Sequence, residues 1–211
     1  MTSIIITSCD ADHQYLHKAL GSCLVQDVET EIIVIHSGRT IVTLLTDAIP
    51  DKNIIVPDKG LSYARNSGIE MARFDFIICL EADDWLYPDV LASMENELKG
   101  VNSVCFGNMT GKDKELFIPE GRKGVTRELL IAGNPIPVTS MFRKSAWKMV
   151  GGFPDITYSD YGYWVKIYKA ACGFVYIDKT IFHHTYRTDS WSFKVKDNAG
   201  ELNKQAIQPL L

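Results

Sequence analysis

The sequence has no long apolar stretch. Its hydrophobic runs are short, as in Ile32-Ile33-Val34-Ile35, far below the roughly 20 residues a membrane-crossing helix needs. The opening Met1-Thr2-Ser3-Ile4-Ile5-Ile6 lacks the basic flank and the apolar length of a signal peptide. Cysteine is scarce and odd in number: five, at positions 9, 23, 79, 105 and 172, with no C-x-x-C spacing. This argues against a disulfide framework or thiolate zinc site and leads us to expect buried thiols and a cytoplasmic location. Basic charge is short as well. Twenty-two Lys and Arg against 26 Asp and Glu leave a net charge of −4, so the clustered positive field of a nucleic-acid binder is missing. What remains is ordinary globular composition, 211 residues with 46% hydrophobic and 23% charged. Folding such a chain buries about 70% of its surface, enough for one domain with a real core.

The first half alternates between two periodicities. A strand is expected over 3–8, then a helix that Asp10 and Asp12 could cap, with Tyr15/Leu16, Ala19/Leu20 and Cys23/Leu24 on one face. Further β-branched or apolar runs at 31–35, 53–56, 75–80 and 101–106 predict strands. Between them, 61–72 reads as a helix entered through Gly60, with Gly68 requiring a packing reason. Another helix is expected from Pro88, with Val90, Leu91, Met94 and Leu98 on one face and Gly100 as its stop. Such alternation predicts an α/β fold: a mostly parallel central sheet covered by helices on both faces, joined by right-handed crossovers. Ligands of these sheets collect at the carboxyl ends of the strands, just after Ser8, Ile35, Val56 and Leu80. The second half is less regular. We expect a loop or hinge over 107–124, a helix over 159–171, and two short strands at 174–177 and 182–186. Lys194, Lys196 and the following polar residues read as a solvated tail, with a membrane surface or partner protein as the alternative contact.

One segment carries dense charge. The strand over 76–80 runs straight into Glu81-Ala82-Asp83-Asp84. Three carboxylates so close repel one another unless a cation neutralises them. Hard oxygen ligands suit Mg²⁺ or Mn²⁺, which also take oxygens from a diphosphate. The plain alternative is a solvated acidic turn.

Several other segments fall in a telling order. Gly60-Leu61-Ser62-Tyr63-Ala64-Arg65-Asn66 precedes the acidic strand end, and Gly151-Gly152-Phe153-Pro154-Asp155 and Ser159-Asp160-Tyr161 follow it. With the opening strand and Gln26, this set resembles the inverting glycosyltransferases of family 2, which have the GT-A (Rossmann-like, nucleotide-diphospho-sugar transferase) fold. The resemblance runs from about position 3 to 192 and implies a single GT-A domain over 1–211. Within it, 1–106 would bind the nucleotide sugar, 107–195 the acceptor, and 196–211 form the tail. The implied donor is a nucleotide sugar, UDP-linked being the commonest in the family. The acceptor would be a hydroxyl on a glycan, lipid-linked or small molecule, as in polysaccharide biosynthesis. Glu81-Ala82-Asp83 falls on the family's Asp-x-Asp motif, which makes Asp83 the implied ligand of Mn²⁺ or Mg²⁺ and Glu81 and Ala82 donor contacts. Arg65 and Asn66 match the Ala-Arg-Asn segment lying against the nucleotide, and Thr7 and Ser8 end the first strand beside it. Asp160 falls on the Glu-Asp motif and is the implied general base, with its N-cap role as the alternative.

The chain departs from the family pattern at four places. His36-Ser37-Gly38 stands where relatives carry acidic residues after the second strand, so His36 is the residue left to meet the nucleoside. Ser159 replaces the Glu before the base, and Glu81 is one methylene longer than Asp. Near the end, Asp189 occupies a slot where relatives place a metal-binding His, with His184 upstream as the other candidate. Of Trp85, Trp164 and Trp191, one is expected to stack on ligand. Rival readings are weaker. A dinucleotide dehydrogenase would show G-x-G-x-x-G after the first strand, where this chain has Cys9-Asp10-Ala11-Asp12. A phosphate-receiving domain leaves the second half unexplained. The serious rival is a catalytically weak GT-A relative that binds a nucleotide or glycan, which the substitutions at 36, 81 and 159 favour.

Overall fold

The computed structural model describes residues 1–9, 14–38, 50–188, 190 and 196–211. Its strands form one nine-stranded mixed sheet. Strands β1 (Thr2–Cys9), β2 (Thr30–Ser37), β3 (Lys52–Val56) and β4 (Phe76–Glu81) lie parallel in the order β3-β2-β1-β4. Both neighbours of β1 are parallel to it, and residues 2–8 are all buried, as expected for a strand covered on both faces. Successive residues then serve opposite cores. Ile4, Ile6, Val34, Ile78 and Leu80 pack with α1 (Leu16–Leu24) and α3 (Leu91–Leu98). Ile5, Ile33, Ile35, Ile77 and Cys79 pack with α2 (Leu61–Met71), α5 (Lys144–Val150) and α6 (Ser159–Lys169).

Gly68 has its packing reason. A Cβ there would stand 2.4 Å from Ile5 Cγ2 and 3.1 Å from Ile35 Cγ1, so its absence lets α2 settle onto β1 and β2. Gln26 ties α1 to the chain beyond β5 (Trp85–Leu86), donating to the Tyr87 and Ser22 carbonyls at 2.9 Å each. The sheet continues through β8 (Met141–Arg143), antiparallel to β4, then β6 (Asn102–Thr110) and β9 (Gly173–His183). Edge strands β5 and β7 (Leu116–Phe117) complete it.

Four expectations change here. First, β6 runs through Gly107 to Thr110 instead of ending in a loop at 107. A Cβ on Gly107 would meet Lys179 O at 2.6 Å and Ile181 Cγ1 at 2.7 Å, so this glycine marks the close approach of β9, not a turn. Second, the two short strands are one, β9. Its polar middle stays in the sheet because Asp178 accepts from Asn108 and Tyr176 at 3.0 Å each and Lys179 donates to Ser93 at 2.6 Å. Third, α3 begins at Leu91, three residues beyond Pro88, after Asp89 adopts a left-handed φ of 54°. Fourth, residues after 196 are not a solvated tail. Helix α7 (Ala199–Ile207) buries Ala206 and Ile207, and Leu210 follows them into the core cluster around α6. The Leu210 carbonyl accepts from Arg127 of α4 (Arg127–Ala132) at 2.6 Å and the Pro209 carbonyl from Lys169 at 2.8 Å. Ala199, Leu202, Ala206, Ile207 and Leu210 recur at helical spacing in an otherwise polar segment, and a waiting hydrophobic face docks the last three. Asp10, Asp12, Lys194 and the side chain of Lys196 lie outside the described residues.

Candidate functional site

The carboxyl ends of the parallel strands open onto one cavity of about 1020 Å³, at the upper end of ligand-site volumes. Thr7 and Ser8 of β1, Ser37 of β2, Asp58 beyond β3, and Glu81 and Asp83 at the end of β4 all line it. Arg65 of α2, Asp160 of α6, Asn134, His184, Arg187 and Asn203 of α7 line it too.

A buried guanidinium joins two of these elements. Arg65, 2% exposed, donates through Nη2 to Glu81 Oε1 at 2.8 Å and through Nη1 to Ser159 Oγ at 3.0 Å. It therefore clamps the end of β4 to the first residue of α6. Burial pushes the Glu81 carboxyl up to about 7; the Arg65 charge opposes this, and Asp84 and Asp83 add to it. Asp84 is fully engaged below the cavity. It accepts from the Thr185 amide at 2.8 Å and meets His184 Nδ1 at 3.3 Å. That hydrogen bond raises the His184 imidazole to about 9 against the opposing effect of burial. Thr185 Oγ1 donates to the Asp83 carbonyl, and the Asp83 carboxylate pairs with Arg187 Nε at 3.5 Å.

Ligand oxygens of Glu81, Asp83 and Asp84 lie within 4.8 Å of one another. Three hard oxygen donors this close, with the Glu81 carboxyl raised by burial and further by its acidic neighbours, fit a divalent cation. Of the three, Glu81 and Asp83 line the cavity and can meet an ion held there, Glu81 while paired with Arg65 and Asp83 while paired with Arg187.

Asp160 sits in the first turn of α6, where a helix N-terminus favours negative charge. It does not act as the N-cap; Tyr158 holds that position without a side-chain cap. Its Oδ2 instead accepts from Asn134 Nδ2 at 2.8 Å.

The model for glycosyl transferase family 2 matches residues 3–155. The chain belongs to this family. A Haemophilus influenzae protein described as an uncharacterized glycosyltransferase is 26% identical over 219 residues, covering 92% of this chain and 87% of that one. The putative glycosyltransferase EpsH of Bacillus subtilis is 33% identical over 93 residues, 38% of this chain and 25% of its own. Among solved structures, S. aureus TarS 1–349 in complex with UDP-GlcNAc is similar at TM-score 0.73 and 19% identity, over 90% of this chain and 59% of that one. The mannosyltransferase PcManGT of Pyrobaculum calidifontis, in complex with GDP-Man and Mn²⁺, gives 0.74 and 13%, over 99% of this chain and 63% of its own. The chain therefore spans about three fifths of either solved chain. The fold is GT-A, parallel in its first half and mixed in its second.

In this family 2 chain the structure gathers Thr7, Ser8, Arg65, Glu81, Asp83 and Asp160 at one cavity. Three other expected contacts sit elsewhere. Asn66 spends its amide inside the protein: Oδ1 accepts from Trp147 Nε1 and the Phe153 amide at 2.9 Å each, and Nδ2 donates to the Phe153 carbonyl at 2.9 Å. It holds the Gly151-Gly152 turn, both of whose glycines have positive φ. His36 is 1% exposed and bonds Asn53 Oδ1 through Nε2 at 2.6 Å. Ala82 is 1% exposed within a core cluster. Asp189 and Trp191 lie outside the described residues, and Trp164 is core. Sequence reasoning missed Asn134, Arg187, Asn203 and the Ser37–Asp58 pair, 3.0 Å apart. The strand-end rule pointed just short of Asp58, but Asn134 and Arg187 stand alone in irregular chain and Asn203 alone on a helix, with no motif to mark them.

Proposed function

We propose that the chain transfers a sugar from a nucleotide donor, a UDP sugar, to an acceptor hydroxyl with inversion at the anomeric carbon, assisted by Mn²⁺ or Mg²⁺. The observation that carries this reading is the convergence of Asp83, from the end of β4, and Asp160, from the start of α6, on one cavity. The UDP-GlcNAc held by TarS and the GDP-Man and Mn²⁺ held by PcManGT support a nucleotide-diphosphate donor and a divalent ion. The acceptor's carrier could be a glycan, a lipid-linked sugar or a small molecule.

Each residue has a physical task. Asp160, steadied by Asn134, takes the proton of the acceptor hydroxyl as its oxygen bonds to the anomeric carbon and the carbon–phosphate oxygen bond breaks. With one such base and one displacement, the configuration inverts. Asp83 would hold the metal, with His184 as a second ligand; Asp84, on Nδ1, leaves Nε2 as the coordinating nitrogen. When bound, the ion supplies positive charge against the departing nucleoside diphosphate. Arg187, beside Asp83, suits the same diphosphate by forked hydrogen bonding. Ser37 and Asp58 supply acceptor oxygens for the nucleoside where relatives use an acidic residue after β2.

The test is nucleoside diphosphate release from a panel of nucleotide sugars with Mn²⁺. Asp160→Asn should slow release by about 10²- to 10⁴-fold, the usual worth of a positioned base, while nucleotide affinity persists. Asp83→Ala should abolish the metal-dependent part of nucleotide binding in calorimetry. Unchanged release in Asp160→Asn would remove the base assignment. The engagement of Glu81 by Arg65 favours one other reading, a nucleotide- or glycan-binding module. Tight nucleotide binding with no release from any donor would decide for it.

A further inference from the structure

A second cavity of about 320 Å³ is also lined by Asp83. Its other walls are Tyr15 and Lys18 at α1, Trp85 of β5, Lys112, His183 of β9, and Tyr186 with Thr185. Lys18 Nζ lies 2.9 Å from the centre of the Trp85 ring, and His183 stacks on the same indole at 3.8 Å and 15°. Sterics require the two to occupy opposite faces. Thr110 Oγ1 fixes the imidazole through Nδ1 at 2.8 Å. Asp113 and Lys114 hold left-handed φ values of 56° and 60° in the turn that carries Lys112 and Lys114, a conformation costly to non-glycine residues.

The charges here are unbalanced. Among the described residues, Lys18, Lys112 and Lys114 have no ion pair with a carboxylate. Burial lowers the Lys18 pKa and the Lys114 ammonium lowers it further. Cations crowded into a concave, aromatic-walled site repel one another until an anion enters.

We propose that this cavity binds the phosphate of a phosphorylated acceptor, holding its sugar or polyol against Tyr186 and Tyr15 and directing its hydroxyl past Asp83, which lines both cavities, towards Asp160 in the main one. Lysine is a point-charge binder of phosphate, and aromatic faces pack against the C–H faces of sugars and polyols. A neutral glycan would leave the ammonium groups uncompensated; a phosphate ester matches them. The inference rests on the proposed transfer reaction only for what the site is used for, and phosphate binding itself is measured separately.

Lys18 and Lys112 are exposed, so Lys18→Gln with Lys112→Gln should fold normally. Calorimetry at fixed ionic strength would titrate protein with sn-glycerol 3-phosphate, inorganic phosphate and glycerol. We expect saturable binding of both phosphates, none of glycerol, and about tenfold weaker binding in the double variant, the loss expected for charge-assisted hydrogen bonds. Affinity for UDP with Mn²⁺ should stay within about twofold, since neither lysine lines the main cavity. Vesicles of phosphatidylglycerol against phosphatidylcholine separate the sources. Retention on the anionic vesicles that the double variant loses assigns the phosphate to a lipid; no retention alongside glycerol phosphate binding assigns it to a soluble acceptor. The proposal is overturned if neither phosphate nor vesicle binds, if the double variant binds them unchanged, or if it loses UDP. Failure of UDP binding in the unaltered protein would instead count against the transfer reaction.

Discussion

The imidazole of His184 is tied to Asp84 at 3.3 Å and lines the main cavity, which links stability and pH at one side chain. Its folded pKa of about 9 exceeds the ordinary 6.5. The stability that this proton contributes is therefore complete below pH 6.5 and lost as pH rises towards 9. Glu81, raised from 4.5 to about 7, acts in the same direction at lower pH, because the folded state again holds the extra proton. In chelator, the urea midpoint should fall between pH 6.5 and 9, and His184→Gln should flatten that decline. A flat wild-type profile would contradict the assignment. Residues also show why motif adjacency misleads. Arg65 and Asn66 are neighbours in sequence, but successive helical residues point about 100° apart. One reaches the cavity; the other fastens the Gly151-Gly152 turn.

At the scale of elements, two helical glycines make opposite predictions. Gly68→Ala would place a methyl 2.4 Å from Ile5 Cγ2, between buried partners that cannot retreat. Overpacking of this kind should cost about 1–3 kcal/mol, outweighing the gain in helix propensity. Gly21 in α1 meets nothing within 4 Å of an added Cβ. There the propensity gain stands alone, and Gly21→Ala should stabilise by about 0.5–1 kcal/mol. Denaturant unfolding of the two variants checks both signs, and equal effects would refute the packing account of α2. The first-half strands and helices were legible because their apolar periods are long and clean. Strand β9 was not, since its polar middle is satisfied by Asn108 and Ser93, partners far away in sequence.

Across the whole molecule, α7 closes one side of the cavity while packing on α6. Ile207 and Leu210 are 8% and 9% exposed in the same core cluster as Tyr161 and Trp164. Ile207→Ala should therefore cost about 2 kcal/mol, at the low end for a buried aliphatic truncation, within one cooperative unfolding transition. If the helix were an appended tail, the midpoint would not move. Because Asn203 of α7 lines the cavity, the same variant should weaken nucleotide binding as well, which places the C-terminal segment in the site's architecture.

The strands of the first half, their alternation with helices, and the acidic step at Glu81-Ala82-Asp83-Asp84 were fixed by local pattern alone, because period and charge density are properties of neighbours in the chain. The clamp of Arg65 on Glu81 and Ser159, the withdrawal of His36 and Asn66 into structural roles, and the docking of α7 were decided only by tertiary structure. Each depends on which surfaces the sheet order brings together, and side chains separated by scores of residues carry no record in the sequence of the partner they will find.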